Sequence, residues 1–174
     1  MRETALKAKK VLPVLFLVFL FSCSKSGTTQ TATPGKPAPN ISVVDFQGKP
    51  LTLPALRGNI VLVNFWATWC GSCQLEKPTL NAFYKKVSGL PDFRLVTVLY
   101  NDTPENAKQY IAQHGYTIPV FSDPGGKTFA AYGCTGVPES YLIDKKGILR
   151  DKIIGPINWD SPDVVSYIEK LAKE

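Results

Sequence analysis

Two short, continuous apolar runs lie in the middle of the chain. Residues 60–66 and 93–100 are rich in β-branched and aromatic side chains and are flanked by glycine, proline or asparagine. Such runs are typical of strands buried on both faces. Shorter apolar or alternating runs predict five further strands, at residues 41–46, 51–53, 119–121, 140–144 and 148–154. The first two form a predicted N-terminal hairpin with Gly48 in its turn, and the last two form a second hairpin.

The segments between the strands have apolar residues at helical spacing, which predicts helices there. From residue 71 to Gly89, apolar side chains recur at helical spacing, at Leu75, Leu80, Phe83 and Val87. Shorter helices are predicted at residues 54–57, 105–114, 127–132 and 162–173. Strands that alternate with helices and then end in a hairpin and a helix predict an α/β fold, with a central mixed β-sheet flanked by helices.

The N-terminus has the pattern of an export signal. Residues 1–22 contain a basic start and an apolar run at 11–21 that is too short to span a bilayer comfortably, which predicts a signal peptide. An uncleaved membrane anchor is the alternative, and either one exports the rest of the chain. Residues 23–39 are rich in Ser, Thr, Gly, Lys and Pro, which predicts a flexible tether before a folded domain at residues 40–174.

A lone cysteine, Cys23, directly follows the apolar run. The sequence Leu-Phe-Ser-Cys that ends at this position resembles a bacterial lipobox, in which the cysteine becomes the lipid-modified first residue of the mature protein. A cysteine at this place has no structural role of its own. The resemblance therefore implies a membrane-anchored lipoprotein that faces the periplasm or the cell exterior.

Length and charge narrow the range of functions. The chain has 174 residues, enough for one domain of ordinary size with a tail. Its formal net charge is +6, and half of this charge lies within the first ten residues. The mild surplus spread over the remaining chain gives no reason to expect a nucleic-acid partner.

Two cysteines, Cys70 and Cys73, follow the first buried strand at the point where a helix is predicted to begin. Residues at i and i+3 lie on one helical face, close enough for a disulfide. The unpaired N–H groups and the partial positive charge of a helix N-terminus stabilise a thiolate there. We therefore expect Cys70, at the exposed tip, to be the nucleophile and Cys73, one turn further, to be the resolving thiol.

A zinc site or a haem attachment is the alternative for such a cysteine pair. Zinc requires two more ligands, and the remaining candidates are Cys23, Cys134 and His114, with no second pair among them. Haem attachment requires a histidine after the second cysteine, where this chain has Gln74. The pattern therefore favours a redox-active disulfide, and no metal site is expected.

Residues 61–73, Val-Leu-Val-Asn-Phe-Trp-Ala-Thr-Trp-Cys-Gly-Ser-Cys, resemble the active-site segment of thioredoxin-fold proteins. They are most similar to the extracytoplasmic TlpA/ResA group of thiol-disulfide oxidoreductases, and the similarity extends from about Gly35 to the C-terminus. The resemblance implies a thioredoxin fold preceded by an N-terminal β-hairpin. It also implies reduction of protein disulfides, such as those formed in error in apocytochrome c, and re-reduction by a membrane electron donor. No small-molecule cofactor is expected. The sequence does not fix the oligomeric state, and a monomer is expected.

The same resemblance assigns roles to residues around the cysteines. Sequence statistics favour a trans peptide bond before Pro138, whereas the matching proline of thioredoxin-fold proteins is cis and packs beside the cysteine pair. There the Val137 backbone pairs with an extended substrate peptide. Glu76 is expected to exchange a proton with Cys73 if it is partly buried; on the surface it would only favour the helix start. Asn64 replaces the buried aspartate of thioredoxin, which makes Glu76 its expected substitute.

Four more residues are notable for their chemistry. Trp69, next to Cys70, is expected to form a partly exposed lip for substrate. Glu139 directly follows the proline and is expected to steer substrate, to tune the thiols, or to be a charge at a strand edge. Cys134 is either a third redox thiol or, as is usual for a free cysteine, buried and inert, and the inert state is favoured. His114 is expected at a helix end without a catalytic role.

Three other functions stay open from the sequence alone. An exported disulfide oxidase is one, because the Gly-Ser pair between the cysteines does not fix the reduction potential. A thiol peroxidase is disfavoured, since Ala67 and Asn64 stand where the peroxidase motif has a threonine and a proline context. A non-catalytic lipoprotein that binds peptides beside Val137 and Pro138 is the third.

Overall fold

The computed structural model describes residues 31–174. Its strands are β1 (Ser42–Val44), β2 (Pro50–Thr52), β3 (Ile60–Trp66), β4 (Phe93–Leu99), β5 (Val120–Ser122), β6 (Glu139–Ile143) and β7 (Leu149–Ile154). Its helices are α1 (Gly71–Val87), α2 (Pro104–His114), α3 (Lys127–Ala131) and α4 (Pro162–Ala172), with 3₁₀ turns at Leu53–Leu56 and Pro124–Gly126. Each strand and helix predicted for this part of the chain is present with its ends shifted by a few residues, whereas the second 3₁₀ turn has no predicted counterpart.

A seven-stranded mixed sheet organises the fold, with the strand order β2-β1-β5-β4-β3-β6-β7. β3 pairs in parallel with β4, and β4 pairs in parallel with β5. The other neighbouring strands are antiparallel. This is the thioredoxin-like α/β arrangement expected from the sequence, and the hairpin of β1 and β2 extends the sheet beyond β5.

β3 is the strand around which both layers pack, because all seven of its side chains are buried. On one face, Ile60 and Leu62 pack with apolar residues of α1 and α4. On the other face, Val63 and Phe65 pack with residues of the N-terminal hairpin, of β6 and of the segment around α3. Burial on both faces explains the apolar run without alternation. The chain that leaves β3 therefore enters the cysteine loop from a rigid strand in the middle of the sheet.

The buried face of α1 differs from the predicted one at Leu75. That side chain is 78% exposed, whereas Cys73 and Leu80 are completely buried. The buried face also includes Glu76 and Lys77. The buried stripe therefore begins at the second cysteine, and two charged residues share it with the apolar core.

Residues 33–38 belong to the folded part of the chain, although the predicted tether includes them. The N–H of Gly35 donates to the carbonyl of Leu149 (2.8 Å), and the N–H of Leu149 donates to the carbonyl of Lys36 (2.9 Å). These backbone bonds attach the segment to the start of β7. The folded domain thus begins before its predicted boundary.

The predicted signal peptide at residues 1–22 and the predicted lipid attachment at Cys23 lie outside the described residues. Within residues 31–174, no helix is long and apolar enough to cross a membrane. Both features remain predictions from the sequence.

Candidate active site

The site begins with the disulfide between Cys70 and Cys73. Cys70 is the N-cap residue of α1, and its sulfur accepts a hydrogen bond from the backbone N–H of Cys73 at 3.1 Å. Cys70 is 6% exposed, whereas Cys73 is completely buried. A helix N-terminus stabilises negative charge on a sulfur at this position. The geometry therefore makes Cys70 the sulfur that a partner can reach and Cys73 the internal one.

The loop before β6 packs against the outer sulfur. The peptide bond between Val137 and Pro138 is cis, which confirms the expectation from the resemblance. The carbonyl oxygen of Val137 lies 3.4 Å from Cys70 Sγ, and the Ser72 hydroxyl lies 3.4 Å from the same sulfur. Because a disulfide sulfur carries no proton, the hydroxyl is the donor in the second contact and the first is a close approach. The backbone of Val137 thus lies directly beside the reactive atom.

Trp69 forms an exposed apolar surface next to Cys70. Trp69 is 58% exposed. The indole N–H donates to the carbonyl of Asn101 at 3.0 Å, and the backbone N–H of Thr68 donates to the carboxylate of Asp102 at 2.6 Å. These two bonds fasten the cysteine loop to the loop after β4. The orientation of the tryptophan ring is therefore fixed by the fold.

Glu76 is buried one helical turn beyond Cys73 and carries three hydrogen bonds. Its Oε1 atom accepts from the indole N–H of Trp159 at 2.7 Å and from the backbone N–H of Ile157 at 3.4 Å. Its Oε2 atom accepts from the side-chain amide of Asn64 at 3.1 Å. The sequence predicts proton exchange with Cys73 only if Glu76 is at least partly buried. Glu76 is 1% exposed, so this condition is met.

Lys77 is a site residue that the sequence analysis missed. Its side chain is completely buried, and its Nζ atom donates to the amide oxygen of Asn64 at 2.7 Å. The same atom lies 4.3 Å from the centre of the Trp66 ring. Burial lowers the pKa of Lys77 to about 7, although the negative charge of Glu76 opposes the shift. A second charged group therefore lies behind the disulfide, next to Glu76.

Glu139, for which the sequence leaves a role in substrate steering, a role in tuning the thiols or a strand-edge charge open, is buried at the start of β6. Its carboxylate accepts the backbone N–H of Thr135 (2.8 Å), the hydroxyl of Thr135 (2.9 Å) and the hydroxyl of Tyr141 (2.7 Å). The ammonium of Lys152 lies 3.5 Å away. Burial opposes ionisation, yet these hydrogen bonds and this positive charge lower the pKa of Glu139. The side chain fixes the loop that leads to the cis-proline and lies in the interior.

Cys134 lies with Glu139 on the opposite face of the sheet from Glu76. The thiol is half-buried, packs in the same cluster as Phe65, and lies 3.3 Å from the hydroxyl of Tyr141. Burial raises the pKa of Cys134 to about 12. A thiol that does not ionise near neutral pH is a poor nucleophile, so these surroundings support the inert state.

We expect Cys134 to resist alkylation in the native, reduced protein at pH 8. A thiol with a pKa of about 12 is ionised in only about 1 molecule in 10⁴ at that pH. Iodoacetamide followed by peptide mapping should label Cys70 and leave Cys134 unmodified until denaturant is added. Labelling of both thiols at similar rates in the folded protein would show that Cys134 is reactive.

His114 lies outside the site. It is exposed at the end of α2, and its Nδ1 atom is 2.9 Å from the carbonyl of Tyr110. In the described part of the chain, no group of three or more His, Cys, Asp or Glu side chains is arranged to hold a metal ion.

The sheet has this strand order, a disulfide lies at the start of α1, and a cis-proline packs against it. These features together define the class of thioredoxin-fold thiol–disulfide proteins. Residues 34–152 match the model of the AhpC/TSA family, and the chain belongs to this family. It is 38% identical over 137 residues to the "Thiol-disulfide oxidoreductase ResA" of Bacillus anthracis, covering 79% of this chain and 78% of that one. It is 37% identical over 134 residues to the "Thiol:disulfide interchange protein HelX" of Rhodobacter capsulatus, covering 75% and 73%.

A solved structure agrees with these relatives. The thiol:disulfide interchange protein DsbE from Chlorobium tepidum superimposes with a TM-score of 0.71 at 28% identity, covering 82% of this chain and 99% of that one. The similarity to the ResA group expected from the cysteine segment is thus confirmed. The chain is a thiol–disulfide oxidoreductase with a Cys70–Cys73 centre.

Proposed function

We propose that this chain is an exported, membrane-anchored lipoprotein that reduces protein disulfides. The observation that carries the proposal is the Cys70–Cys73 disulfide at the start of α1, with the Val137 backbone beside its outer sulfur. Export and anchoring rest on the sequence of residues 1–22 and on Cys23. The resemblance to the ResA group supports substrates such as apocytochrome c cysteines that have become oxidised, and re-reduction by a membrane thiol donor.

The reaction proceeds in two exchanges. In the first, the Cys70 thiolate attacks one sulfur of a substrate disulfide, so that a mixed disulfide forms and the other substrate sulfur leaves and takes up a proton. In the second, Cys73 loses its proton and attacks Cys70 Sγ, which closes the enzyme disulfide and releases the second substrate thiol. The substrate gains two electrons and two protons. A membrane dithiol donor then returns both to the enzyme.

The surroundings of Cys70 suit an attacking thiolate that is only moderately stabilised. The donors to its sulfur are the backbone N–H of Cys73 and the Ser72 hydroxyl. Among residues 31–174, no lysine, arginine or histidine makes a hydrogen bond with that sulfur. A strong oxidase stabilises its reduced form heavily. The moderate stabilisation here supports a reductase.

Glu76 is the group that takes the proton of Cys73. A thiol that is completely buried has no direct access to water, so its proton needs an acceptor inside the protein. A carboxylate offers about four acceptor positions, and three of those on Glu76 hold N–H groups. One position is left for a proton, one helical turn from the thiol.

The substrate peptide lies along the cis-proline loop. Neither the N–H nor the carbonyl of Val137 makes a backbone hydrogen bond within the described part of the chain. Both groups are therefore free to pair with an extended peptide, as in strand addition. Trp69 supplies an exposed aromatic surface on the other side of Cys70, and Pro138 shapes the loop between them.

The reduction potential of the Cys70–Cys73 pair tests the direction of the reaction. We expect equilibration of the full-length protein with dithiothreitol or glutathione to give a value near or below that of thioredoxin, about −270 mV. A value close to about −120 mV, in the range of strong periplasmic oxidants, would favour an exported oxidase instead. Cys134→Ala is the matched control, and we expect it to leave the potential unchanged.

A further inference from the structure

Four polar side chains form one buried cluster on the face of the sheet that α1 covers: Asn64, Glu76, Lys77 and Ser140. Asn64 lies at its centre, because its amide oxygen accepts from Lys77 at 2.7 Å and its amide nitrogen donates to Glu76 at 3.1 Å. The same nitrogen donates to the hydroxyl of Ser140 at 2.9 Å. Asn64, Glu76 and Lys77 are each at most 1% exposed. The Asn64 amide thus uses its oxygen and both of its N–H groups inside the protein.

The orientation of this amide is fixed by its partners. An ammonium has only donors, so it requires the oxygen of Asn64. A carboxylate has only acceptors, so Glu76 requires the nitrogen. The reversed amide would point its N–H groups at Lys77 and its oxygen at Glu76, and burial makes both conflicts costly. Lys77 and Glu76 therefore demand the same orientation of the amide, and Lys77 holds its oxygen end.

We propose that Lys77 is a positioning residue of the disulfide exchange: its amino group orients the Asn64 amide, and that amide holds the Glu76 carboxylate in place behind Cys73. The inference rests on the role proposed above for Glu76. Lys77 touches neither cysteine in the hydrogen-bond network, so it acts through Asn64. Its contact with the Trp66 ring, 4.3 Å from the ring centre, keeps the ammonium at the end of β3.

Lys77 carries its positive charge at acid pH. Burial lowers the pKa of Lys77 to about 7, so the group is an ammonium in the acid range. The titratable groups around it on this face are Glu76 and Cys73 from α1, together with Tyr110 of α2, which packs on the Trp66 ring. The β3 and β6 side chains in the cluster, Asn64 and Ser140, do not titrate.

The test replaces Lys77 with methionine in the full-length protein, since methionine keeps the length of the side chain and removes the donor. Lys85→Met is the matched control, because it removes the same charge from an exposed position of the same helix. We expect Lys77→Met to speed the hydrogen exchange of the Asn64 side-chain amide, followed by NMR, about tenfold or more. Lys85→Met should leave this exchange unchanged.

A second variant separates the hydrogen bond from the charge. Lys77→Gln keeps an N–H donor for the Asn64 oxygen, and we expect the exchange of the Asn64 amide to stay close to that of the wild type. Equally fast exchange of the Asn64 amide in both variants would show that only the charge of Lys77 matters. Unchanged exchange in Lys77→Met would refute the positioning role. The NMR measurement is made on the oxidised protein and needs no substrate. It therefore decides the inference even if the wild-type protein proves not to reduce disulfides, which would be a failure of the proposed function.

Discussion

Replacing Cys73 with serine is expected to abolish turnover with disulfide substrates and to leave a substrate covalently joined to Cys70. The first exchange needs only the Cys70 thiolate, which remains at the start of α1. The second exchange needs an internal thiol, and a serine hydroxyl cannot close a disulfide. Electrophoresis without reductant should show the adduct, dithiothreitol should release it, and mass spectrometry should locate the bond at Cys70.

Two further variants give this experiment its controls. Cys70→Ser removes the outer nucleophile, so neither turnover nor an adduct is expected. Cys134→Ser should keep full turnover without an adduct, because that thiol is held by Tyr141 on the other face of the sheet. If Cys73→Ser binds a peptide beside Val137 and forms no adduct, the disulfide is structural and the chain is a peptide-binding lipoprotein.

The segment from β3 to α1 could be predicted because its signals are local. An unbroken run of β-branched and aromatic residues marks a strand buried on both faces, and all of its side chains are indeed buried. Two cysteines three positions apart share a helical face wherever the helix begins close to Cys70. The cis bond before Pro138 has no such local signal. It followed from the resemblance alone.

The interior of the site could not be predicted in the same way, since it depends on contacts between distant residues. Trp159 donates to Glu76 across 83 positions of sequence, and nothing in the polar stretch around Trp159 marks it as a partner. The position of Glu139 after Pro138 left three roles open, and it gave no sign that β6 is buried along its whole length. Lys77 is a different case. Its spacing of four from Cys73 places it on the buried face of α1, so periodicity alone could have found it.

Replacing Glu76 with alanine is expected to lower the free energy of unfolding by about 2–6 kcal/mol, because the buried N–H groups of Trp159 and Asn64 lose their acceptor. The Trp159 indole N–H would lose its acceptor, and Lys77 would lose the negative charge beside it. Each buried donor left without an acceptor costs about 1–3 kcal/mol. Urea unfolding of the oxidised protein should show a lower midpoint with an unchanged slope.

The control for this loss is an exposed glutamate, and Glu169 on α4 provides one. Glu169→Ala should change the free energy of unfolding by no more than about 0.5 kcal/mol. Glu76→Gln should lie between the two, because its amide oxygen still accepts from the Trp159 indole while the charge is lost. Equal stability of Glu76→Ala and Glu169→Ala would mean that Glu76 is not the acceptor for Trp159 and Asn64 in solution. Its position as the proton acceptor of Cys73 would then lose its structural basis, since a carboxylate that these donors do not hold could turn towards solvent and away from α1.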